Sequence, residues 1–322
     1  MILITGCDSP EGHALIKELL SKNYKLKCHD IYHPKNIPSG CDVISGMLDN
    51  QREIDHALEG VDTIVHFLEI TESDRRGRKF MKQINVNLPK KLLTAAAASG
   101  VSHAIIKSSW QVYGQIEKGS VNENSPLSPR SPLGKDMKSL ELLCASTKLA
   151  PMKITILRTA LTVGPETVNP AILLILFLAL AQENESRTNI IEGGKNIFDL
   201  LEFSDLAKAV SCAIEKKSEG IFNISGGGTS TTSDMMELFT KIDSEIQLND
   251  FSFMKSKFLS FFLGLIGSHH LTGDHFAMLS RNVVLDISSA KKILNWSPQF
   301  DSISALNETI KWYRANKIKS KV

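Results

Sequence analysis

The chain has 322 residues and a formal net charge of +2; 42% of its residues are hydrophobic and 22% are charged. These values exclude an intrinsically disordered or collagen-like chain, and the small net charge gives no broad field to attract nucleic acid. The five cysteines are widely spaced and form no C-x-x-C pair. They therefore disfavour a disulfide framework or a zinc site and favour a reducing, cytoplasmic location. The strand-like run at 2–5 begins at once, so we expect no targeting peptide.

The first half of the chain alternates β-rich runs with helical patterns. Strands are predicted at 2–5, 25–29, 43–45, 62–67, 103–108 and 153–157. Helices are predicted between them at 10–22, 51–58, 79–99 and 133–147. This alternation predicts an α/β fold in which helices cover both faces of a parallel sheet. The right-handed crossover rule then favours a doubly wound sheet of the Rossmann type.

After residue 165 the rhythm changes, with helices predicted at 170–183, 204–216 and 302–315 and a short strand at 221–224. We therefore predict a dinucleotide-binding domain of residues 1–165, with 195–225 returning to its sheet. A smaller, mainly helical substrate or lid domain is predicted from 166–194 and 226–322. The apolar stretches 171–181 and 251–267 are too short to span a bilayer. They favour two buried helices, with an apolar lid or a membrane-surface contact as the alternative.

The turn after the first strand is the candidate nucleotide site. Gly6 and Gly12 hold the outer positions of a G-x-x-G-x-x-G spacing, and Ser9 holds the middle one. Glycines in such a turn allow the backbone to approach a diphosphate and the helix to pack on the strand. Asp30 ends the second strand, where a carboxylate accepts from both ribose hydroxyls and repels a 2′-phosphate. The pattern therefore favours NAD over NADP.

Two features of the same segment point the other way. Asp8 and Glu11 place negative charge where a diphosphate would bind, and Ser9 followed by Pro10 makes a self-sufficient helix cap. Asp30 also has an alternative interpretation, as a turn residue ahead of a His-Pro pair. The turn therefore carries both a dinucleotide signal and a source of like-charge repulsion.

Further along the chain, several segments form an ordered series of motifs. They are Thr5-Gly6 with Gly12, Asp62 to His66, Asn85, Ser108 to Gly114, Arg158 with Gly164-Pro165, Ser204 to Ala207, and Leu294 to Pro298. Over residues 2 to about 314 this series resembles the extended short-chain dehydrogenase/reductases, the NAD-dependent epimerase/dehydratase group. Its most specific part is Ser108-Ser109-Trp110-Gln111-Val112-Tyr113-Gly114, which is similar to S-S-x-x-V-Y-G.

The resemblance implies hydride transfer to a bound nicotinamide, with a Tyr and a Lys of a Y-x-x-x-K motif as the proton relay. A phenol of pKa about 10 needs such a neighbouring cation to ionise near neutrality. The family's S-P-Y-G-x-S-K-x-x-x-E aligns with Ser131 to Glu141, which places Leu133 at the Tyr position and Met137 at the Lys position. Neither side chain transfers a proton. The one true Y-x-x-x-K begins at Tyr313, far along the chain in the C-terminal helix, and we interpret it as a chance match.

Other departures affect the cofactor and the substrate. Glu69 stands where the family has a small residue, and Met47 stands in its G-D-L segment. Leu161 replaces an expected Asn, and Phe198 replaces an Arg whose guanidinium would hold a substrate diphosphate. The last two changes, with the apolar stretches, favour an apolar ligand over a nucleotide sugar.

The sequence therefore predicts an NAD-binding protein of this type that has diverged or is noncatalytic. One alternative is an active NAD-dependent isomerase or oxidoreductase, on a sugar-like or apolar hydroxyl or keto substrate, with a site rebuilt around Ser109. Another is a membrane- or partner-docked binding protein. The candidate catalytic residue is Ser109, with Tyr113 as a substrate contact. The candidate cofactor-binding residues are Gly6, Ser9, Gly12, Asp30, His66 and Ser108. No metal site and no nucleic-acid partner are expected, and the resemblance implies a homodimer.

Overall fold

The computed structural model describes residues 1–72, 74–114, 119–146, 149–167, 187–191, 195, 197–228, 230–242, 247–251 and 284–317. Seven strands form one parallel sheet. They are β1 (Ile2–Thr5), β2 (Leu26–Asp30), β3 (Asp42–Ser45), β4 (Thr63–His66), β5 (His103–Ser109), β6 (Lys153–Thr159) and β11 (Gly220–Ile224). Their order is β11-β6-β5-β4-β1-β2-β3, and every neighbouring pair is parallel. The predicted doubly wound α/β fold is confirmed.

Helices connect these strands. In chain order they are α1 (Pro10–Ser21), α2 (Gln51–Leu58), α3 (Gly77–Lys82), α4 (Leu88–Ala98), α5 (Pro132–Cys144) and α6 (Phe203–Lys216). A helix packs on the sheet through one apolar stripe. In α1 that stripe is Leu15, Ile16 and Leu19, all of which are buried. The β1, β4 and β5 side chains are buried along their whole length, as expected for strands covered on both faces.

The predicted single helix over 79–99 is interrupted. The helix α3 is followed by a π-helical turn at Gln83–Asn87, and α4 begins at Leu88. Pro89 has no N–H to donate to the preceding turn, so a regular α-helical hydrogen bond is missing there. The wider π-helical turn accommodates the proline, and the chain continues as a helix on both sides. A short 3₁₀ turn at Trp110–Val112 follows β5.

The remaining elements are small strands and two further helices. They are β7 (Leu161–Val163), β8 (Arg187–Ile191), β9 (Ile197–Phe198), β10 (Leu200–Glu202), β12 (Ser230–Thr231), α7 (Thr232–Ile242), β13 (Gln247–Phe251), a π-helical turn at Ala290–Leu294, and α8 (Ser302–Lys317). Strand pairs β7–β10, β8–β13 and β9–β12 form three two-stranded sheets. A second apolar cluster, which includes Val163, Leu200 and Leu306, joins α8 to β7 and β10. It is separate from the core that surrounds the main sheet.

The apolar stretch at 171–181, most of the stretch at 251–267 and the predicted helix at 170–183 lie outside the described residues. In the part of the chain that the structure describes, no helix combines the length and apolar character needed to cross a bilayer.

The order of the main sheet reverses between β1 and β4, because the chain first adds β2 and β3 on one side of β1 and then adds β4 on the other. In open parallel sheets, ligands bind at the carboxyl ends of the strands at such a reversal.

Candidate functional site

The turn between β1 and α1 needs its two outer glycines. Gly6 has a φ of +77°, and a Cβ there would lie 2.5 Å from the backbone N of Leu68. A Cβ on Gly12 would lie 2.5 Å from the carbonyl O of Gly6. Both positions therefore exclude larger residues, because the turn, the start of α1 and the segment after β4 pack backbone to backbone.

The middle position of the motif is a helix cap. Ser9 Oγ accepts from the Gly12 N–H at 3.0 Å and donates to the Gly6 carbonyl at 2.8 Å. Pro10, the first helical residue, has no N–H. The first turn of α1 is therefore stabilised by the chain itself, without an external anion.

Asp30 lies at the carboxyl end of β2, beside that turn. Its Oδ2 accepts from the Asp8 N–H at 3.2 Å, and its Oδ1 accepts from the Ile31 N–H at 2.8 Å. Burial raises the pKa of the Asp30 carboxyl, while these two backbone donors act to lower it. Each oxygen keeps lone pairs for further donors, so the geometry suits recognition of a ribose diol.

A cleft of about 530 Å³ opens at this edge of the sheet. Gly6, Ser9 and Asp30 line it, together with Tyr32 and Arg76 at the same end. The Arg76 guanidinium carbon lies 3.9 Å from the ring centroid of Phe80, and its Nη1 donates to the Tyr32 hydroxyl at 2.8 Å. This end of the cleft therefore combines a carboxylate with an aromatic and a guanidinium surface.

The other end of the cleft holds three charged side chains in contact, which we call the Glu11–Lys107–Glu69 cluster. Lys107 Nζ lies 3.3 Å from Glu11 Oε1 and 3.1 Å from Glu69 Oε1. The Thr162 hydroxyl also donates to Glu11 Oε1 at 2.8 Å. The lysine side chain is only 7% exposed, so its charge is neutralised by protein groups. Lys107 is on β5, Glu11 on α1 and Glu69 just after β4, so three elements build the cluster.

The charges of this cluster stabilise one another. Burial acts to lower the pKa of Lys107, but Glu11 and Glu69 outweigh it and raise that pKa. Burial likewise acts to raise the pKa of Glu11, but Lys107 and the Thr162 hydroxyl lower it overall. Both groups are therefore ionised near neutral pH.

The two residues that the sequence resemblance aligns with the proton relay lie on α5. Leu133 is 4% exposed and Met137 is 2% exposed, and both belong to the main apolar core. The helix has a regular N-cap, because Ser131 Oγ accepts from the Gly134 N–H at 3.0 Å. The two side chains at these positions are therefore apolar, buried and without an ionisable group.

The S-S-x-x-V-Y-G segment is held by hydrogen bonds within the protein. Ser108 Oγ donates to Glu141 Oε1 at 2.5 Å, and Ser109 Oγ accepts from the Gln111 N–H at 3.2 Å. The Tyr113 hydroxyl donates to Asn223 Oδ1 at 2.7 Å and accepts from an Arg158 N–H at 2.9 Å; its ring is buried. Burial raises the pKa of Tyr113, and Arg158 opposes that rise.

His66 ends β4 below the cleft. Its Nδ1 lies 2.7 Å from the Thr5 hydroxyl, and the ring is 2% exposed. Burial lowers the pKa of His66 to about 3, so the ring is neutral in the folded protein. This histidine joins the ends of β1 and β4 and does not line the cleft.

The structure thus separates the predicted site residues into two groups. Those that line the cleft are Gly6, Ser9 and Asp30; those that do not are Gly12, His66, Ser108, Ser109 and Tyr113. Sequence reasoning noted the acidic Glu11 and Glu69 but missed Lys107 and Thr162. The signal for Lys107 was a lysine inside an apolar strand, since a buried ammonium requires a nearby carboxylate. Among the described residues, no three His, Cys, Asp or Glu side chains form a metal-binding group.

Comparison with known proteins identifies the family. The model of the NAD-dependent epimerase/dehydratase family matches residues 2–225. The chain belongs to this family. It is therefore an extended short-chain dehydrogenase/reductase in sequence and fold, and the family it belongs to is NAD-dependent.

The relatives are distant but cover most of the chain. A dTDP-glucose 4,6-dehydratase of Actinoplanes sp. is 26% identical over 260 residues, which cover 80% of this chain and 74% of that protein. An uncharacterised UDP-glucose epimerase of Bacillus subtilis, YtcB, is 25% identical over 319 residues, 92% of each chain.

Solved structures confirm the fold. The UDP-glucuronic acid 4-epimerase of Bacillus cereus in complex with NAD is 20% identical, with a TM-score of 0.77 over 98% of this chain and 99% of that one. The UDP-glucose 4-epimerase of Thermotoga maritima with UDP-glucose is also 20% identical, with a TM-score of 0.79 over the same shares.

The residues of this cleft fit one part of a bound NAD and not another. Asp30 and the glycine turn fit the adenosine end. The diphosphate has no comparable fit, because Pro10 lacks an N–H, the Gly12 N–H is taken by Ser9, and Glu11 places a negative charge there. Leu133 and Met137, which the resemblance aligns with the relay, carry no ionisable group.

Proposed function

We propose that this protein is a binding member of the NAD-dependent epimerase/dehydratase family. It binds the adenosine end of its ligand through Asp30 and does not carry out Tyr/Lys-dependent proton and hydride transfer. The observation that carries the proposal is the burial of Leu133 and Met137 in the apolar core at the relay positions.

Burial makes the loss of the relay difficult to repair locally. A replacement acid would have to reach the cleft from outside this part of α5, because Leu133 and Met137 are packed among hydrophobic side chains. A neighbouring acidic residue, Asp136, is 3% exposed and forms an ion pair with Arg78. Its carboxylate is therefore committed to that pair and supplies no general acid.

Calorimetry and a turnover assay test the proposal together. Adenosine, AMP and NAD are titrated into the purified protein. With UDP-glucose and dTDP-glucose as substrates, both the absorbance of reduced nicotinamide and the conversion of the sugar nucleotide are followed. We expect saturable binding of at least one adenosine ligand and no turnover. The absence of binding by every adenosine ligand would contradict the binding role.

The alternative of an active site rebuilt around Ser109 gives the opposite result. It requires formation of reduced nicotinamide or interconversion of a sugar, and loss of that activity in Ser109→Ala with retained ligand binding. No contact within the described residues supports it over the binding role, because Ser109 Oγ caps the turn that follows β5.

The same proposal includes the assembly and location. We infer a small-molecule ligand with an apolar part, because Leu161 and Phe198 replace polar family residues; both pack against the second apolar cluster. We also infer a homodimer in a reducing, cytoplasmic environment, with residues 166–194 and 226–322 as the smaller domain. Light scattering after gel filtration tests the dimer, and a monomer over a wide concentration range would contradict it.

A further inference from the structure

The chain itself limits the backbone donors at the start of α1. In dinucleotide folds these donors face the ligand diphosphate. Here Pro10 has no N–H, the Gly12 N–H donates to Ser9 Oγ at 3.0 Å, and the Glu11 N–H acts to lower the pKa of its own carboxyl. Of the three positions 10–12, one therefore lacks a donor and a second donates to a protein oxygen.

The Glu11 carboxylate has the environment of a bound anion. It lies at the positive end of α1 and is contacted by the Lys107 ammonium at 3.3 Å and the Thr162 hydroxyl at 2.8 Å. An ammonium, a hydroxyl and a helix N-terminus are the groups that hold phosphate oxygens in nucleotide sites. The side chain of Glu11 is 15% exposed, so it occupies this place as part of the protein.

The remaining charges of the cleft also disfavour an anionic ligand. Its lining contains five carboxylates, those of Asp8, Glu11, Asp30, Glu69 and Asp74, and two cations, Arg76 and Lys107. Both cations are paired, since Arg76 donates to both oxygens of Asp74 and Lys107 lies between two glutamates.

One acceptor in the cluster is left without a donor. Glu69 Oε2 is buried and has no hydrogen-bond partner among the described residues. A buried carboxylate oxygen without a donor is costly. Glu69 therefore adds negative charge, and no donor, to the half of the cleft where a diphosphate needs donors.

We propose that Glu11 is an internal substitute for the cofactor diphosphate, so that this cleft prefers adenosine ligands with a neutral or cationic 5′ substituent over phosphorylated ones. The inference rests on the proposed function, because it places the ribose at Asp30. The ligand class is then a nucleoside or a 5′-amino or other cationic nucleoside derivative, and NAD ranks below it in affinity.

A charge series on the wild-type protein tests this ranking. Calorimetry compares 5′-amino-5′-deoxyadenosine, adenosine, AMP and NAD. We expect affinity to fall in that order, with NAD about tenfold weaker than adenosine or more, as like charges a few ångströms apart in a partly buried site repel strongly. Added salt screens exposed charges and should reduce the difference in affinity between adenosine and NAD.

Removal of the Glu11 charge tests whether this carboxylate weakens the binding of NAD. Glu11→Gln keeps the size of the side chain and an acceptor for Thr162, and should raise NAD affinity about tenfold while adenosine affinity stays within about twofold. The matched control is Glu18→Gln, on the same helix but paired with Lys22 outside the cleft lining. It should change neither affinity.

The outcomes separate the two proposals. If wild type binds NAD more tightly than adenosine, and Glu11→Gln does not change that order, the inference is overturned and the binding function stands. If no adenosine ligand binds to wild type or to Glu11→Gln, the proposed function fails and this inference fails with it. Should Glu11→Gln not fold, as judged by circular dichroism, the wild-type charge series decides alone.

Discussion

Two regions, the buried pair Leu133 and Met137 on α5 and the Glu11–Lys107–Glu69 cluster, differ in chemistry and in access to the cleft. Leu133 and Met137 are apolar and belong to the main core. In the cluster, one lysine lies between two glutamates, so its net charge is negative. All three side chains of the cluster line the cleft, whereas Leu133 and Met137 do not.

Packing alone explains the apolar pair more easily than it explains the charged cluster. Apolar replacement is what packing alone selects, because a buried charge without a partner is costly. A buried lysine with two glutamates offers little stability that a hydrophobic trio of similar volume would not also give. The cluster, which lines the cleft, is therefore the better candidate for an effect on ligand binding, whereas Leu133 and Met137 contribute to the core.

The largest expected effect comes from removing the cation of the cluster. Lys107→Met leaves two partly buried glutamates facing each other, and breaking a buried pair of this kind costs about 3–5 kcal/mol of unfolding free energy. Urea unfolding measures the loss. The exposed Lys90→Met is the matched control and should change the unfolding free energy by less than about 0.5 kcal/mol.

A triple variant sharpens this test. Replacing Lys107 by Met together with Glu11→Gln and Glu69→Gln removes all three charges and should recover most of the lost stability. If the triple variant is as unstable as Lys107→Met alone, packing of the lysine stem, and not charge, holds the region together.

The next largest effect is expected on α5, where a lysine ammonium is placed among apolar side chains without a carboxylate partner. Met137→Lys introduces the residue type that the resemblance aligns with this position but buries an ammonium among apolar side chains, at a cost of roughly 3 kcal/mol. Met137→Leu conserves volume and should cost less than about 1.5 kcal/mol. Thermal and urea unfolding compare the two. Equal stability of Met137→Lys and wild type would mean that this position reaches solvent or a carboxylate, and that the relay is repairable.

A third test compares two buried basic residues on adjacent strands. Lys107 is charged because it has carboxylate partners, whereas His66 is kept neutral, since burial lowers its pKa to about 3. A lowered histidine pKa gives stability that is present above the unfolded value of about 6.5 and is lost as the pH falls towards the folded value. Between about pH 7 and pH 5 that loss is about 2 kcal/mol.

The measurement is the difference between wild type and His66→Gln in urea unfolding over this pH range. The variant should show a shallower decline towards acid. Asp199, whose pKa burial raises to about 7, acts in the opposite direction and is common to both proteins. The exposed His56→Gln serves as the control. Parallel curves for wild type and His66→Gln would show that His66 is not held neutral.

Much of the fold could be predicted because its signal is local. The periodic apolar residues of α1 and the buried runs of β1 and β5 gave bounds within one or two residues of those observed. The exception, the π-helical turn at Gln83–Asn87, depends on how the chain accommodates Pro89 within a helix that continues on both sides. Periodicity alone does not record that adjustment.

The site was predictable only where one segment carries the whole signal. The turn from Gly6 to Gly12 and the strand end at Asp30 are of this kind. The cluster is not, because Lys107 meets partners that are 96 and 38 residues away along the chain. Tyr113 likewise bonds to Asn223, which is 110 residues away. A motif gives the position of a side chain but not the partner that three-dimensional packing brings to it.

The smallest expected effect concerns the end of the cleft that fits the family. Asp30→Asn keeps an acceptor for the backbone N–H groups but loses the charge that strengthens bonds from ribose hydroxyls, so adenosine affinity should fall about tenfold. The exposed Asp55→Asn should leave it unchanged. The ligand offers a second control, since 2′-deoxyadenosine lacks one donor and should bind more weakly than adenosine to wild type but nearly equally to Asp30→Asn. If Asp30→Asn lowered the affinities for adenosine and 2′-deoxyadenosine by the same factor, the ribose hydroxyls would not bind at Asp30.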